Sequence, residues 1–134
     1  MSSRSELVIK IRPNIDAPNL SQTLAQESFQ NTVLRPILKL QNELLIMVLK
    51  NYFKKHKNTF YSLSLEKRLL YIEHAIQKDI KFRNSLKGII IGMFSVEEYQ
   101  TYLLDSSALN KRMMGMLIER YQSQIQVFDT LVTN

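Results

Sequence analysis

The chain has 134 residues, 18 Lys and Arg against 12 Asp and Glu, two histidines and no cysteine. That length fits one domain with a core of its own, and the missing cysteines exclude disulfides and thiolate metal sites. No apolar run approaches the ~20 residues a spanning helix needs, and the N-terminus MSSRSELVIKIRP has no signal-peptide core; the expectation is a cytoplasmic protein with no membrane contact.

The net charge of +6 is unevenly spread. Residues 31–90 hold 12 basic and 4 acidic groups, net +8, whereas residues 91–134 are net −2. A cationic block of this kind favours anionic partners.

Residues 1–19 read as an irregular N-terminal arm, with 20–134 forming a single helical domain. Leu7, Ile9 and Ile11 alternate with Val8, Lys10 and Arg12 as a short strand would, and Pro13 and Pro18 interrupt anything regular. A short helix is expected near Leu20–Leu24.

The organising element is a predicted long helix from Leu34 to His56. Pro36 suits its first turn and Thr32 its N-cap; if the helix instead begins near Glu27, Pro36 should kink it. At about 100° per residue, Leu34, Leu38, Leu45, Val48, Leu49 and Tyr52 share one side, which Ile37, Leu40, Leu44 and Met47 widen. Ile46 and Phe53 are then left projecting among Arg35, Lys39, Lys50, Lys54 and Lys57.

Ser64 should cap a second helix. Its apolar face is Leu65, Leu69, Ile72, Ile76 and Ile80, and its outer stripe is Lys67, Tyr71, His74, Lys78 and Lys81. Arg83 and Lys87 lie beyond the end of that stripe. In FRNSLKGIIIGMF, Gly88 and Gly92 would share a helix face for close packing; a buried strand over Ile89–Ile91 is the alternative.

Ser95-Val96-Glu97-Glu98 is a capping box, with Phe94 and Tyr99 placed as its hydrophobic staple. The helix it starts should reach about Leu104. A last helix, from about Ala108 to Val132, should bury Met113, Met114, Leu117, Tyr121, Ile125, Phe128 and Leu131. These elements predict an all-α, compact bundle of four or five helices with a long central helix.

No catalytic constellation stands out. His56 and His74 lie on different elements, and no ligand cluster, Ser–His pair or Gly-rich phosphate loop accompanies them; no cofactor, metal or small-molecule substrate is expected. A helix-turn-helix over Ser95–Met116 is permitted by spacing, but the local charge does not favour DNA. The two basic stripes are either the solvated faces of bundle helices or an anionic-partner site. In the second reading the binding residues are Arg35, Lys39, Lys50, Phe53, Lys54, Lys57, Lys67, Tyr71, His74, Lys78, Lys81, Arg83 and Lys87, with the aromatics stacking on bases.

The segments LRPILKLQN (Leu34–Asn42), LEKRLLYIEHAIQKDIKFRNSLKGIIIG (Leu65–Gly92) and SSALNKRMM (Ser106–Met114) resemble a family of short helical proteins restricted to one bacterial phylum and often labelled "glyoxalase". The resemblance spans Phe29 to Phe128. It implies an all-helical fold, but supplies no motif of known chemistry. Lactoylglutathione lyases are built from βαβββ units and hold a metal with His and Glu; this chain has neither, so no lyase activity is expected. Size, charge and phylum restriction also look like a lineage-specific ribosomal protein. The expected function is binding of RNA, ribosomal RNA in the first place, or of ribosomal proteins. The alternative is a protein–protein adaptor with a hot spot at Ile46 and Phe53.

Overall fold

The structure is a computed structural model that describes residues 3–13 and 24–131. Among them there is no strand, and the chain is all-α. The expected helix at Leu20–Leu24 lies outside the described residues but for Leu24.

Residues Arg4–Lys10 form helix α1, not a strand. Ser3 caps it by accepting the Glu6 N–H at 3.2 Å. Alternation over six residues is too short a sample to separate a period of two from 3.6. The N-terminal arm is therefore ordered at its start, and α1 is tied to the bundle. The Arg4 guanidinium donates to Gly92 O and Phe94 O, both at 2.6 Å.

The next helix starts at Ala25, ahead of Leu34, which is the alternative that places Pro36 inside it. Helix α2 (Ala25–Phe29) passes through a π-helical turn, Gln30–Leu34, into α3 (Arg35–Leu40). Thr32 is thus inside the helix, donating to Ser28 O, and is not a cap. Pro36 lacks an N–H and, in a regular α-helix, its ring would clash with the carbonyl four residues back. The wider π turn precedes it, with Arg35 N–H reaching Gln30 O, and Pro36 is buried in the core. A π turn is one of the known causes of helix distortion.

Gln41 (φ −89°, ψ 4°) separates α3 from α4 (Asn42–Lys55). Past it the buried arc moves round the cylinder by roughly a quarter-turn, at ~100° per residue. Leu45, Ile46, Leu49 and Phe53 go inside, while Leu44 and Met47 are 49% and 58% exposed. The sequence reading carried one phase straight through Gln41, and so exchanged Ile46 and Phe53 with Leu44 and Met47.

Helix α4 ends at Lys55 with His56 as its C-cap; Lys57 and Asn58 follow, both left-handed (φ 61° and 55°), and Asn58 N–H closes on Phe53 O at 2.8 Å. A 3-10 turn, Thr59–Ser62, leads to α5 (Leu65–Lys78), capped by Ser64 as expected. Asp79 then breaks the pattern. Its backbone is extended and its carboxylate accepts the Phe82 N–H, starting α6 (Ile80–Ile91). Leu65 and Ile80, expected inside, are each 61% exposed; Ile72, Ala75 and Ile76 form the buried face. The strand alternative at Ile89–Ile91 fails. Within the chain, Gly88 is not a close-packing position, since an added Cβ would meet nothing within 4 Å.

The capping box is formed in both directions: Glu98 N–H to Ser95 Oγ at 3.1 Å and Ser95 N–H to Glu98 Oε1 at 2.8 Å. Phe94 is buried against Phe29 and Tyr102, while Tyr99 stays 43% exposed beside Tyr102. Helix α7 (Val96–Leu103) is followed by α8 (Ser106–Ser123) and a 3-10 stretch, Ile125–Leu131. Met113, Met114, Leu117, Tyr121, Ile125 and Phe128 are all buried, as their spacing predicts; the Leu131 side chain lies outside the description.

Helix α8 packs on α5, α6, α7 and the π turn. Its Tyr121 hydroxyl donates to Leu45 O at 2.6 Å, and burial pushes that phenol's pKa up. Arg112 donates to Gln26 and Gln30, so it is turned into the bundle and not outward as a DNA-reading helix requires.

Candidate nucleic-acid interface

The end of the bundle where α4 meets α5 is built on an aromatic cluster. Phe53 and Phe60 are stacked with centroids 3.8 Å apart and planes 9° apart. Tyr71 and Phe128 meet both rings edge-on. Arg68 closes the cluster: it lies over Phe60, donates to Phe60 O and Tyr61 O, and pairs with Asp129 at 2.7 Å.

Phe53 is 0% exposed and Ile46 8%. Both therefore leave the expected interface. Phe53 cannot stack on a base, and the adaptor hot spot at Ile46 and Phe53 has no surface to present. Tyr71 is half-buried in the same cluster and offers at most one edge.

Outside this cluster lies an open groove of about 660 Å³. Tyr52 and His56 of α4 line one side, and Tyr71, His74 and Lys78 of α5 line the other. The Tyr52 and His56 rings lie against each other with centroids 4.2 Å apart and planes tilted by 36°. The Tyr52 hydroxyl donates to Asp79 Oδ2 at 2.9 Å, which fixes the ring across the junction. Burial and that carboxylate both raise the Tyr52 pKa. The Asp79 carboxyl is held below its ordinary value, first by the Phe82 N–H and then by the Tyr52 hydroxyl. Asp79 therefore stays ionised at the groove, where its negative charge acts on His56 and offsets part of the positive charge of the surrounding lysines.

Both histidines of the chain come together here, although they are on different elements. The sequence carried no sign of that, since the meeting is made by the α4–α5 crossing. Lys54, Lys55 and Lys57 flank His56 along the chain, and Lys81 follows Ile80, another groove residue; all four lysines are exposed. Lys67 is also exposed, near the other end of α5, whereas Lys50 is half-buried.

The remaining expected residues lie elsewhere. Arg35 lines a separate cleft with Arg120 and donates to Asn31, and Lys39 is exposed on α3. Arg83 and Lys87 line a third cleft, beside Lys111 of α8. The single two-stripe face drawn from the sequence is therefore divided among several surfaces, with one groove holding His74, Lys78 and an edge of Tyr71. Tyr52 and His56 were missed, and so was Lys55 beside them.

Among the described residues no group of three or more His, Cys, Asp or Glu could hold a metal ion, and no helix is long and apolar enough to cross a membrane. Comparison of the chain with protein-family models, with curated proteins and with solved structures finds no match.

Proposed function

We propose that this protein binds RNA through the α4–α5 groove, as a structural component of a larger ribonucleoprotein such as the ribosome. The observation that carries the reading is the groove itself: Tyr52, His56, His74 and Lys78 around one concavity, rimmed by exposed lysines. Aromatic faces among cations suit unpaired bases, which stack without sequence preference while ammonium groups hold the phosphates. Lysine contacts phosphate as a point charge, so the recognition is of backbone and shape.

The test reverses Lys54, Lys57, Lys78 and Lys81 to Glu together and follows RNA binding by fluorescence anisotropy across a salt series. The wild type should lose affinity steeply with salt, by about 0.7 in log–log slope for each single-strand phosphate contacted. The folded quadruple variant should bind far more weakly and with a shallower slope. Unchanged affinity and slope would mean that the lysines are only a solvated face.

A further inference from the structure

We propose that the cleft between α6 and the N-terminal half of α8 is a second anion site, taking the phosphate of a mononucleotide-sized phosphomonoester. The cleft measures about 360 Å³, within the size range of small-ligand pockets and far larger than a phosphate ion needs. Three cations converge on it, Arg83 and Lys87 from α6 and Lys111 from α8, and no carboxylate lines it. Arg83 has one hydrogen bond, to Gln77 O at 3.1 Å. Neither lysine has an ion-pair partner within 4 Å among the described residues. Three like charges without a counter-ion repel one another, and an anion seated among them would relieve that repulsion.

Neutral donors accompany the cations. Asn110 is held by its Oδ1, which accepts the Tyr102 hydroxyl at 2.6 Å, so its amide nitrogen is left to donate. Ser107 stands in the first turn of α8, at the positive end of an 18-residue helix.

The floor is of a different kind. Met114, buried, and Ile118, half-buried, give it an apolar lining, and beside them the exposed Gly115 leaves space empty to 4 Å where a Cβ would stand. An apolar floor contributes nothing to an inorganic ion, but it accepts the flat face of a base or sugar. Charge at the rim and apolar surface below fit a phosphate carried on a compact organic body.

The same open space supplies the test. Gly115→Leu meets no clash at its Cβ and replaces a helix-interior glycine by a better helix former, so the variant should fold. Adenosine monophosphate is titrated into the full chain by calorimetry, with inorganic phosphate and adenosine as separate controls. Saturable 1:1 binding of the monophosphate is expected, with each control at least about tenfold weaker, a difference of ~1.4 kcal/mol. Gly115→Leu and Lys111→Glu should each weaken binding at least about tenfold. A 5′-phosphorylated oligoribonucleotide that displaces the monophosphate, where its dephosphorylated form does not, would identify an RNA end as the source; no displacement would identify a free nucleotide. Either result upholds the site. The site does not rest on the RNA reading, because Lys78→Glu should leave it unchanged. Failure of the monophosphate to saturate at millimolar concentration, or unchanged binding in Gly115→Leu, would overturn it.

Discussion

Two regions of this molecule treat cationic side chains in opposite ways. At the α6–α7 corner, arginines from the N-terminal arm are engaged by the protein itself, although Arg12 Nε is buried there with no hydrogen-bond partner. Arg12 forks onto Glu98 at 2.5 and 2.7 Å and also reaches Met93 O, and its side chain is only 6% exposed. Arg4 is spent on two carbonyls of the same corner. At the α4–α5 groove, Lys78 and the lysines around His56 are exposed and make no ion pair among the described residues. Formal charge is equal in the two regions, residue for residue. Only the second leaves it available to a partner, so net charge alone overstates the surface that can bind.

The largest effect that separates them should come from behind the groove. Phe53→Ala removes a fully buried ring from the centre of the aromatic cluster and should destabilise by about 3–5 kcal/mol. Its neighbour Lys54→Ala should leave the denaturation midpoint unchanged while weakening RNA binding. If Phe53→Ala kept full stability and lost only RNA affinity, the burial that removes Phe53 from the interface would be wrong. Tyr71 cannot serve this purpose, since it packs on Phe53 and Phe60 and its loss would confuse folding with stacking.

Next comes the corner. Arg12→Ala leaves the Glu98 carboxylate, 17% exposed, without its bidentate partner. Breaking such a pair should cost about 2–3 kcal/mol by chemical denaturation, with RNA binding by the folded fraction unaffected. A measured loss near zero would make the corner as dispensable as an ordinary surface pair.

The same pair gives a pH signature. Burial pushes the Glu98 carboxyl up, but the Arg12 guanidinium and the Ser95 N–H outweigh it, and the net pKa is lowered. A carboxyl with a depressed folded-state pKa contributes stability above its unfolded pKa, and loses that contribution as pH falls through the folded value. Wild-type stability should therefore drop on acidification below the ordinary carboxylate range. Glu98→Gln should flatten part of that drop, measured as denaturant midpoints at neutral and acid pH. An identical acid slope in the two proteins would remove Glu98 from the account.

How much of this was legible follows from where local signals were complete. The box at Ser95–Glu98 and the face from Met113 to Tyr121 are written within uninterrupted helices and form as read, whereas the last helix, expected to run on to about Val132, stops at Ser123, and Ile125 and Phe128 are buried from the 3-10 stretch that follows. The phase of α4 was not legible, because nothing in Gln41 announces a bend. Asp79 hid its extended conformation inside a continuous amphipathic pattern. The groove was half legible. His74 and Lys78 stand on one helix face, but Tyr52 and His56 join them only through the α4–α5 crossing, which no local period encodes.

The smallest predicted effect lies at the groove's edge and separates charge from backbone. Lys57 holds a left-handed conformation, φ 61°, where the Cβ of an L-residue crowds the following carbonyl. It is exposed and follows His56, the C-cap of α4. Glycine meets no such penalty, so Lys57→Gly should stabilise the fold by about 0.5–1 kcal/mol even though a cation is lost. Asn58 shares the left-handed geometry, but asparagine tolerates it, so Asn58→Gly should gain less. If Lys57 also contacts phosphate, Lys57→Gly should lower the RNA salt slope by about one contact while it raises the melting temperature. Stability and affinity moving in opposite directions in one variant would show that this lysine occupies a strained position and still serves the groove. Stability falling with affinity would mean that its side chain supports the turn, and that the groove's rim begins elsewhere.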